Sequence, residues 1–315
     1  TPEIIEGFRA MGALAENKDL LALDGLSELN ADDYRKACRP FGNNCGFTLA
    51  EASQFVVLFD DTLALELGAS IHGSVPEVFV NADGYKKSIS SPGVGNYLTM
   101  AKAAAAAKAI LGEDALRRRS FVQAHGTGTP QNRVTESHIL DEVAAAFGIK
   151  DWPVAAVKAY LGHTISSASG DQLATTLGVW NEGILPGIAT VDEFADDISR
   201  RNISLSSQHR ELNTDIALLN SKGFGGNNAT ATVFSPAATR KLLTARHGNA
   251  ALAAWQQREE DVAARAAAYD SAASRGTAEV IYRFDHNVLS GSEVELSATE
   301  LRIPGYAQSV NLQLD

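Results

Sequence analysis

Hydrophobic and polar positions change their period several times along this chain, and each change predicts an element. Ile4, Ile5, Phe8 and Met11 fall on one helical face, so residues 1–36 are expected as helix and loop. "QFVVLFDD" (54–61) is a continuous apolar run rich in β-branched and aromatic residues, which predicts a buried strand. "SIHGSVPEVFVNADG" (70–84) predicts a second β region, broken by Pro76. The alanine-rich "GVGNYLTMAKAAAAAKAILG" (93–112) predicts a helix stopped by Gly112.

From residue 120 the alternation becomes regular: strand "SFVQAHG", helix "TESHILDEVAAAFG", strand "WPVAAVKAYLG", helix "SGDQLATTLGVWNEG". Strands and helices of these lengths predict βαβ units and a mostly parallel sheet covered on both faces, an α/β fold. "DIALLNSKGFGGNNATATVF" (215–234) then reads as strand, glycine turn, strand. Beyond Pro236, Leu252, Trp255, Val262, Ala266 and Tyr269 place an amphipathic helix within residues 237–274. Val280, Tyr282 and Phe284, then Val294 and Leu296, then Val310, Leu312 and Leu314 alternate at period two and predict a small antiparallel sheet. The change of character after Pro236 therefore marks 236–315 as an appended segment.

The composition narrows the function. With 27 Lys and Arg against 38 Asp and Glu, the net charge of −11 argues against partners that attract basic patches, both nucleic acid and anionic membrane surfaces. Cys38 and Cys45, the two cysteines, are expected as reduced thiols, and no secretory signal or membrane-length apolar segment is read, so a cytoplasmic location is expected. Thr1 opens the chain in mid-pattern, which predicts a piece of a longer protein. "GFGG" (223–226) lacks the Lys-Ser/Thr of a phosphate loop and no GxGxxG spacing is present, so a nucleotide site is not expected, nor is a metal.

Two histidines hold the chemical interest. His125 and His163 each follow an apolar strand-like run and precede a loop or helix start, which places both at one edge of the sheet. Gly126 and Gly128 permit close backbone approach beside the first, and Gly162-His163 repeats the layout. Lys158 ends the apolar run "VAAV", where an unpaired ammonium is costly to bury, so it needs a partner.

Four motifs occur in order: "RPFGNNCGFTLAEASQFVVLF" (39–59), "HGTGTPQNRVTE" (125–136), "KAYLGHTISSASG" (158–170) and "NSKGFGGNNA" (220–229). In this order they resemble the β-ketoacyl synthase (condensing enzyme) family, over roughly residues 1–235. The resemblance implies a thiolase-like layered α/β/α/β/α fold, with 1–83 ending the N-terminal half and 84–235 forming the C-terminal half. It implies decarboxylative Claisen condensation of a malonyl thioester with an acyl thioester, in fatty acid or polyketide synthesis. His125 and His163 would polarise the malonyl thioester carbonyl, and Lys158 would pair with Glu136 to orient them. Thr127 and Thr129 would line the pantetheine channel. Phe224, between Gly223 and Gly225, would gate the site, its backbone N–H helping to form the oxyanion hole. The implied partners are acyl carrier protein and a second copy in a homodimer. No cofactor is implied beyond the phosphopantetheine arm of carrier protein or coenzyme A that bears the substrates.

The nucleophilic cysteine of the family has no counterpart here: its position would precede Thr1, and neither Cys38 nor Cys45 stands in its strand-to-helix context. Gly42, Asn44, Cys45, Arg133, Lys222 and Asn227 also depart from the family pattern; a Phe is common where Lys222 stands. Two histidines favour the Cys-His-His elongating class over the Cys-His-Asn class, which would have Asn at position 163. The alternatives are a non-condensing partner subunit of chain-length-factor type, against which the retention of His125, His163 and Lys158 argues, and an acyl-binding scaffold.

Overall fold

The alternating segments assemble into one six-stranded sheet. Its strands are β1 (Ser74–Ala82), β2 (Ser120–Gln123), β3 (Trp152–Ala155), β4 (Ile203–Ser204), β5 (Ile216–Gly223) and β6 (Asn227–Phe234), in spatial order β1-β6-β5-β2-β3-β4. Strands β5, β2, β3 and β4 run parallel, whereas β6 and β1 are antiparallel additions at one side. The computed structural model describes residues 1–87 and 93–313, and the chain divides into two compact units, Thr1–Glu259 and Glu260–Asp315.

The period-two pattern of the strands sorts side chains onto two faces. Val122, Val154, Ile216, Leu218 and Phe234 face a core completed by Met100, Ala103, Ala104 and Ala107 of α1 (Gly95–Leu111) and by Ile139, Leu140 and Ala144 of α2 (Pro130–Phe147). Phe121, Ala155, Ala217, Leu219 and Val233 face the other way, with Val179 of a helix that follows α3 (Lys158–Leu161), namely α4 (Ala168–Glu182). The alanines of α1 lie flat against the sheet, which lets helix and strands approach closely. Helices therefore cover both faces, as the alternation predicts.

Helix limits follow local chemistry. Pro130 opens α2 where a missing N–H costs nothing, and Gly148 closes it in the left-handed conformation at φ 68°. Pro76 sits in edge strand β1 beside a register shift between Ser74 and Glu77, a place where a missing donor is tolerated. The last helix, α5 (Pro236–Ser274), is kinked at Gly248, and the division between the units falls within it after Glu259.

Three strand expectations fail. Residues 54–60 form no strand: no ladder partner lies beside them among the described residues, and Phe55 is 95% exposed. Asp60 instead caps the helix Asp61–Leu67, its carboxylate accepting from Leu63 N at 3.0 Å. The segment "WPVAAVKAYLG" leaves the sheet after Ala155 and turns into α3, so Lys158 opens a helix rather than ending a strand. "AEVIYRF" (278–284) is irregular, with Val280, Ile281, Tyr282 and Phe284 exposed.

The helix Pro2–Ala10 forms, but Ile4, Ile5 and Met11 are exposed, and only Phe8 of the expected face meets a ring, Phe47 at 5.4 Å. In the first unit, Trp255 of α5 is buried with Leu65 and Leu243 and donates its indole N–H to Ala69 O at 3.0 Å. The second unit holds a sheet of short strands in the order Val310–Asn311, Glu300–Arg302, Glu295–Leu296, the antiparallel hairpins expected there. Leu314 lies outside the described residues. Among the described residues no helix is long and apolar enough to cross a membrane.

Candidate active site

Strand β2 ends at Gln123 and delivers His125 to the edge of the sheet, where its backbone is held from both sides. His125 N donates to Glu136 Oε1 at 2.7 Å, and Gly126 N, at φ 55°, donates to Glu136 Oε2 at 2.8 Å. From the opposite direction Lys158 Nζ donates to His125 O at 2.6 Å. Glu136 is wholly buried on α2, and two further donors complete its shell: Asn132 Nδ2 at 2.9 Å and Asn220 Nδ2 at 2.7 Å. Four N–H groups on one carboxylate meet the requirement that a buried charge be fully hydrogen-bonded.

This differs from the expected pairing of Lys158 with Glu136. The two do not meet. Each instead grips the main chain of His125, one accepting its N–H and the other donating to its carbonyl. Burial lowers the Lys158 ammonium to about 8, against the attraction of Glu136.

His163 follows α3 and is fixed by β-type bonds to residues 48–50: its N–H donates to Thr48 O at 2.7 Å and its carbonyl accepts from Ala50 N at 3.0 Å. Its Nδ1 accepts from the amide of Ile165 at 3.1 Å, so the neutral ring carries its proton on Nε2. Ile165, whose amide makes this bond, adopts φ 60°, a conformation that β-branched residues avoid. Phe47 stands edge-on to the ring at 5.0 Å.

The two imidazoles lie 5.4 Å apart at 81°. Both are buried, and both resist protonation. Desolvation, reinforced by the Lys158 charge, takes His163 down to about 3 and His125 well below the usual imidazole range. His125 Nδ1 is buried with no hydrogen-bond partner among the described residues. The pair is thus a neutral hydrogen-bonding surface, suited to an oxygen on which negative charge develops.

A cavity of about 670 Å³ includes both histidines in its wall. Thr127 and Thr129 line it, their hydroxyls 3.1 Å apart. Phe224 sits at the β5–β6 turn, 46% exposed and tilted against Phe8 at 5.7 Å, with Gly223 closing β5. Gly225 and Gly226, at φ 89° and 92°, make that turn possible. Eight of the nine residues singled out from the sequence thus fall in or directly behind one cavity wall, and the ninth, Gly225, serves the turn.

Cys38 is buried under Phe47 and Ala13, and desolvation raises its thiol to about 11, an inert group; Cys45 is likewise raised by burial. Among the described residues no group of three or more His, Cys, Asp or Glu is placed to hold a metal ion. Several contributors escaped the sequence reading. Asn220 bridges Glu136 to Asn96 of α1, and Gln172 donates to the carbonyls of Gln123, Ala124 and Asn220, tying α4 to the ends of β2 and β5. Asn220 opens the fourth motif and Asn132 lies within the second, but their spacing carries no signal of a shared partner.

Residues 72–192 match the family model described as "Beta-ketoacyl synthase, C-terminal domain". The chain is 52% identical to the β-ketoacyl-[acyl-carrier-protein] synthase FabY of Pseudomonas aeruginosa over 316 residues, covering 100% of this chain and 49% of that one. It is 31% identical to the 3-oxoacyl-[acyl-carrier-protein] synthase 2 of a Synechocystis species, covering 63% of this chain and 46% of that one. The crystal structure of the noncanonical ketosynthase FabY from P. aeruginosa superposes with a TM-score of 0.93, at 52% identity, over 100% of this chain and 49% of that chain. The chain spans about half the length of the curated relatives it matches.

Proposed function

The chain belongs to the β-ketoacyl synthase family, and on that premise we propose that it supplies the His125, His163 and Lys158 side of a condensing active site whose acyl-carrying thiol lies outside these 315 residues. The observation that carries the reading is the neutral histidine pair, with His163 Nδ1 occupied by the Ile165 amide so that Nε2 keeps its hydrogen. The inert surroundings of Cys38 support placing the nucleophile elsewhere.

In the proposed reaction a malonyl thioester enters with its carbonyl oxygen toward the two imidazoles. The bond to the free carboxylate breaks, carbon dioxide leaves, and the electron pair forms an enolate whose oxygen the histidines stabilise. The carbanion then attacks the acyl thioester on the cysteine and expels the thiolate. Lys158 and Glu136 do no bond-making; they fix the main chain of His125. Thr127 and Thr129 hydrogen-bond the pantetheine arm, and Phe224 gates the acyl channel with its amide in the oxyanion hole. No cofactor is needed beyond the phosphopantetheine of acyl carrier protein or coenzyme A that bears the substrates. The protein acts as a homodimer with acyl carrier protein in fatty acid synthesis.

His163→Ala in the full-length protein tests this. Malonyl decarboxylation should fall by roughly 100-fold or more, the scale of a lost oxyanion donor, while acyl transfer to the thiol persists. Equal loss of both steps would sink the reading. The alternative, a non-condensing partner subunit, expects no decarboxylation from the unaltered protein. The burial of Lys158 against the catalytic histidine, a costly arrangement for a purely structural subunit, weighs against it.

A further inference from the structure

One cation in the cavity has no task in the reaction as set out above. Lys222, the penultimate residue of β5, lines the same cavity as His125 and His163 and is half-buried, and its Nζ donates to Asn132 Oδ1 at 3.0 Å. That neutral amide is its one hydrogen-bond partner among the described residues. The two carboxylates that attract it are already engaged. Glu136 accepts from His125, Gly126, Asn132 and Asn220, and Asp83 accepts from Lys86 at 3.2 Å, Gly95 N at 3.1 Å and Asn228 at 2.8 Å. An ammonium held at a cavity wall without a carboxylate of its own is suited to an anionic group brought by a ligand.

The register of the sheet says which end of a ligand it meets. Gln123 of β2 pairs with Leu219 of β5 in parallel, and beyond that pair Glu136 Oε1 accepts from both His125 N and Asn220 Nδ2, so Lys222 follows by two residues the residue of β5 that shares an oxygen with His125. Lys222 therefore sits at the level of the reacting carbonyl, whereas the phosphate of a pantetheine arm lies at the far end of that arm from the thioester. We propose that Lys222 is a recognition residue for the free carboxylate of a malonyl-type donor, an inference that rests on the condensing reading. It selects a carboxylated donor over a plain acyl thioester. Because the carboxylate is lost in the reaction, the contact belongs to the ground state, and its removal should cost binding rather than turnover.

The test is Lys222→Met in the full-length protein, with Lys222→Arg as the conservative control and circular dichroism to confirm folding. The KM for the malonyl thioester should rise roughly ten-fold or more, the scale of a hydrogen bond to a charged group. The kcat should be unchanged or higher, the KM for the acyl primer unmoved, and Lys222→Arg partly restored. The rise should be the same with malonyl-N-acetylcysteamine, which carries no phosphate. A malonyl KM that does not move, a parallel rise in both KM values, or an effect confined to phosphate-bearing donors would each overturn the assignment. Calorimetric binding of malonyl- against acetyl-N-acetylcysteamine separates the two readings. Absent condensation by the unaltered protein removes the proposed reaction, while a malonyl preference that Lys222→Met abolishes still upholds Lys222; no such preference overturns it.

Discussion

At the scale of single residues, the site works by holding a histidine through its backbone. Glu136 touches neither ring, yet it accepts the N–H groups of both His125 and Gly126 at the point where β2 ends. Glu136→Gln would turn an amide NH₂ toward two of the four donors, whichever oxygen it replaces, and leave buried N–H groups unmatched. We expect a loss of about 3 kcal/mol in urea denaturation, the scale of an unsatisfied buried polar group, with decarboxylation falling through misplacement of His125. Which residues gather at this site is largely legible in the sequence: the histidines, Lys158 and Glu136 stand in the second and third motifs, and glycines flank both histidines. What is not legible is who bonds to whom. The supposed Lys158–Glu136 pair becomes two separate contacts to one peptide unit, because ion pairing is inferred from charge whereas backbone satisfaction depends on which helix lies beside a strand end.

At the scale of elements, the βαβ core follows the periodicity of its residues, and the departures have one physical theme. An apolar run becomes a strand only where another strand offers it a ladder. Phe121 and Val122 of β2 have β3 and β5 on either side. The equally apolar Phe55–Phe59 run has no neighbour among the described residues and stays irregular and exposed, and "AEVIYRF" behaves likewise. Helix α5 shows the opposite case, where a single large side chain decides docking. Trp255 fills the space beside Leu65 and Leu243 and bonds to Ala69 O. Trp255→Ala should cost about 3–5 kcal/mol, the usual range for a buried aromatic truncation. The measurement is a thermal or urea transition of the full-length protein, and loss of less than about 1 kcal/mol would show that the docking is peripheral.

At the scale of the whole molecule, burying two histidines and a lysine links stability to pH. His163 titrates near 3 in the folded state against 6.5 unfolded, so the unfolded chain binds the extra proton between these values. Stability is therefore intact above pH 6.5 and falls as the pH drops toward 3, by about 1.4 kcal/mol per unit for each such proton; His125, lowered for the same reason, adds to this. Lys158, near 8 folded against 10.5 unfolded, acts in a second window: stability rises from pH 8 to 10.5, where only the unfolded chain keeps its proton. Urea midpoints of the full-length protein should decline from pH 6.5 downward, and His163→Asn should flatten the slope by one proton. An unchanged slope would mean that the imidazole stays solvated.

The left-handed turn at Ile165 has a consequence for evolution. The group that fixes the tautomer of His163 is a main-chain amide, which every amino acid but proline carries, at a backbone cost that differs between them in the left-handed conformation. Nothing about the name of residue 165 needs to be inherited for its job to be inherited. Proline alone silences it. A change of side chain at this position that keeps the left-handed backbone leaves the proton of His163 where it is.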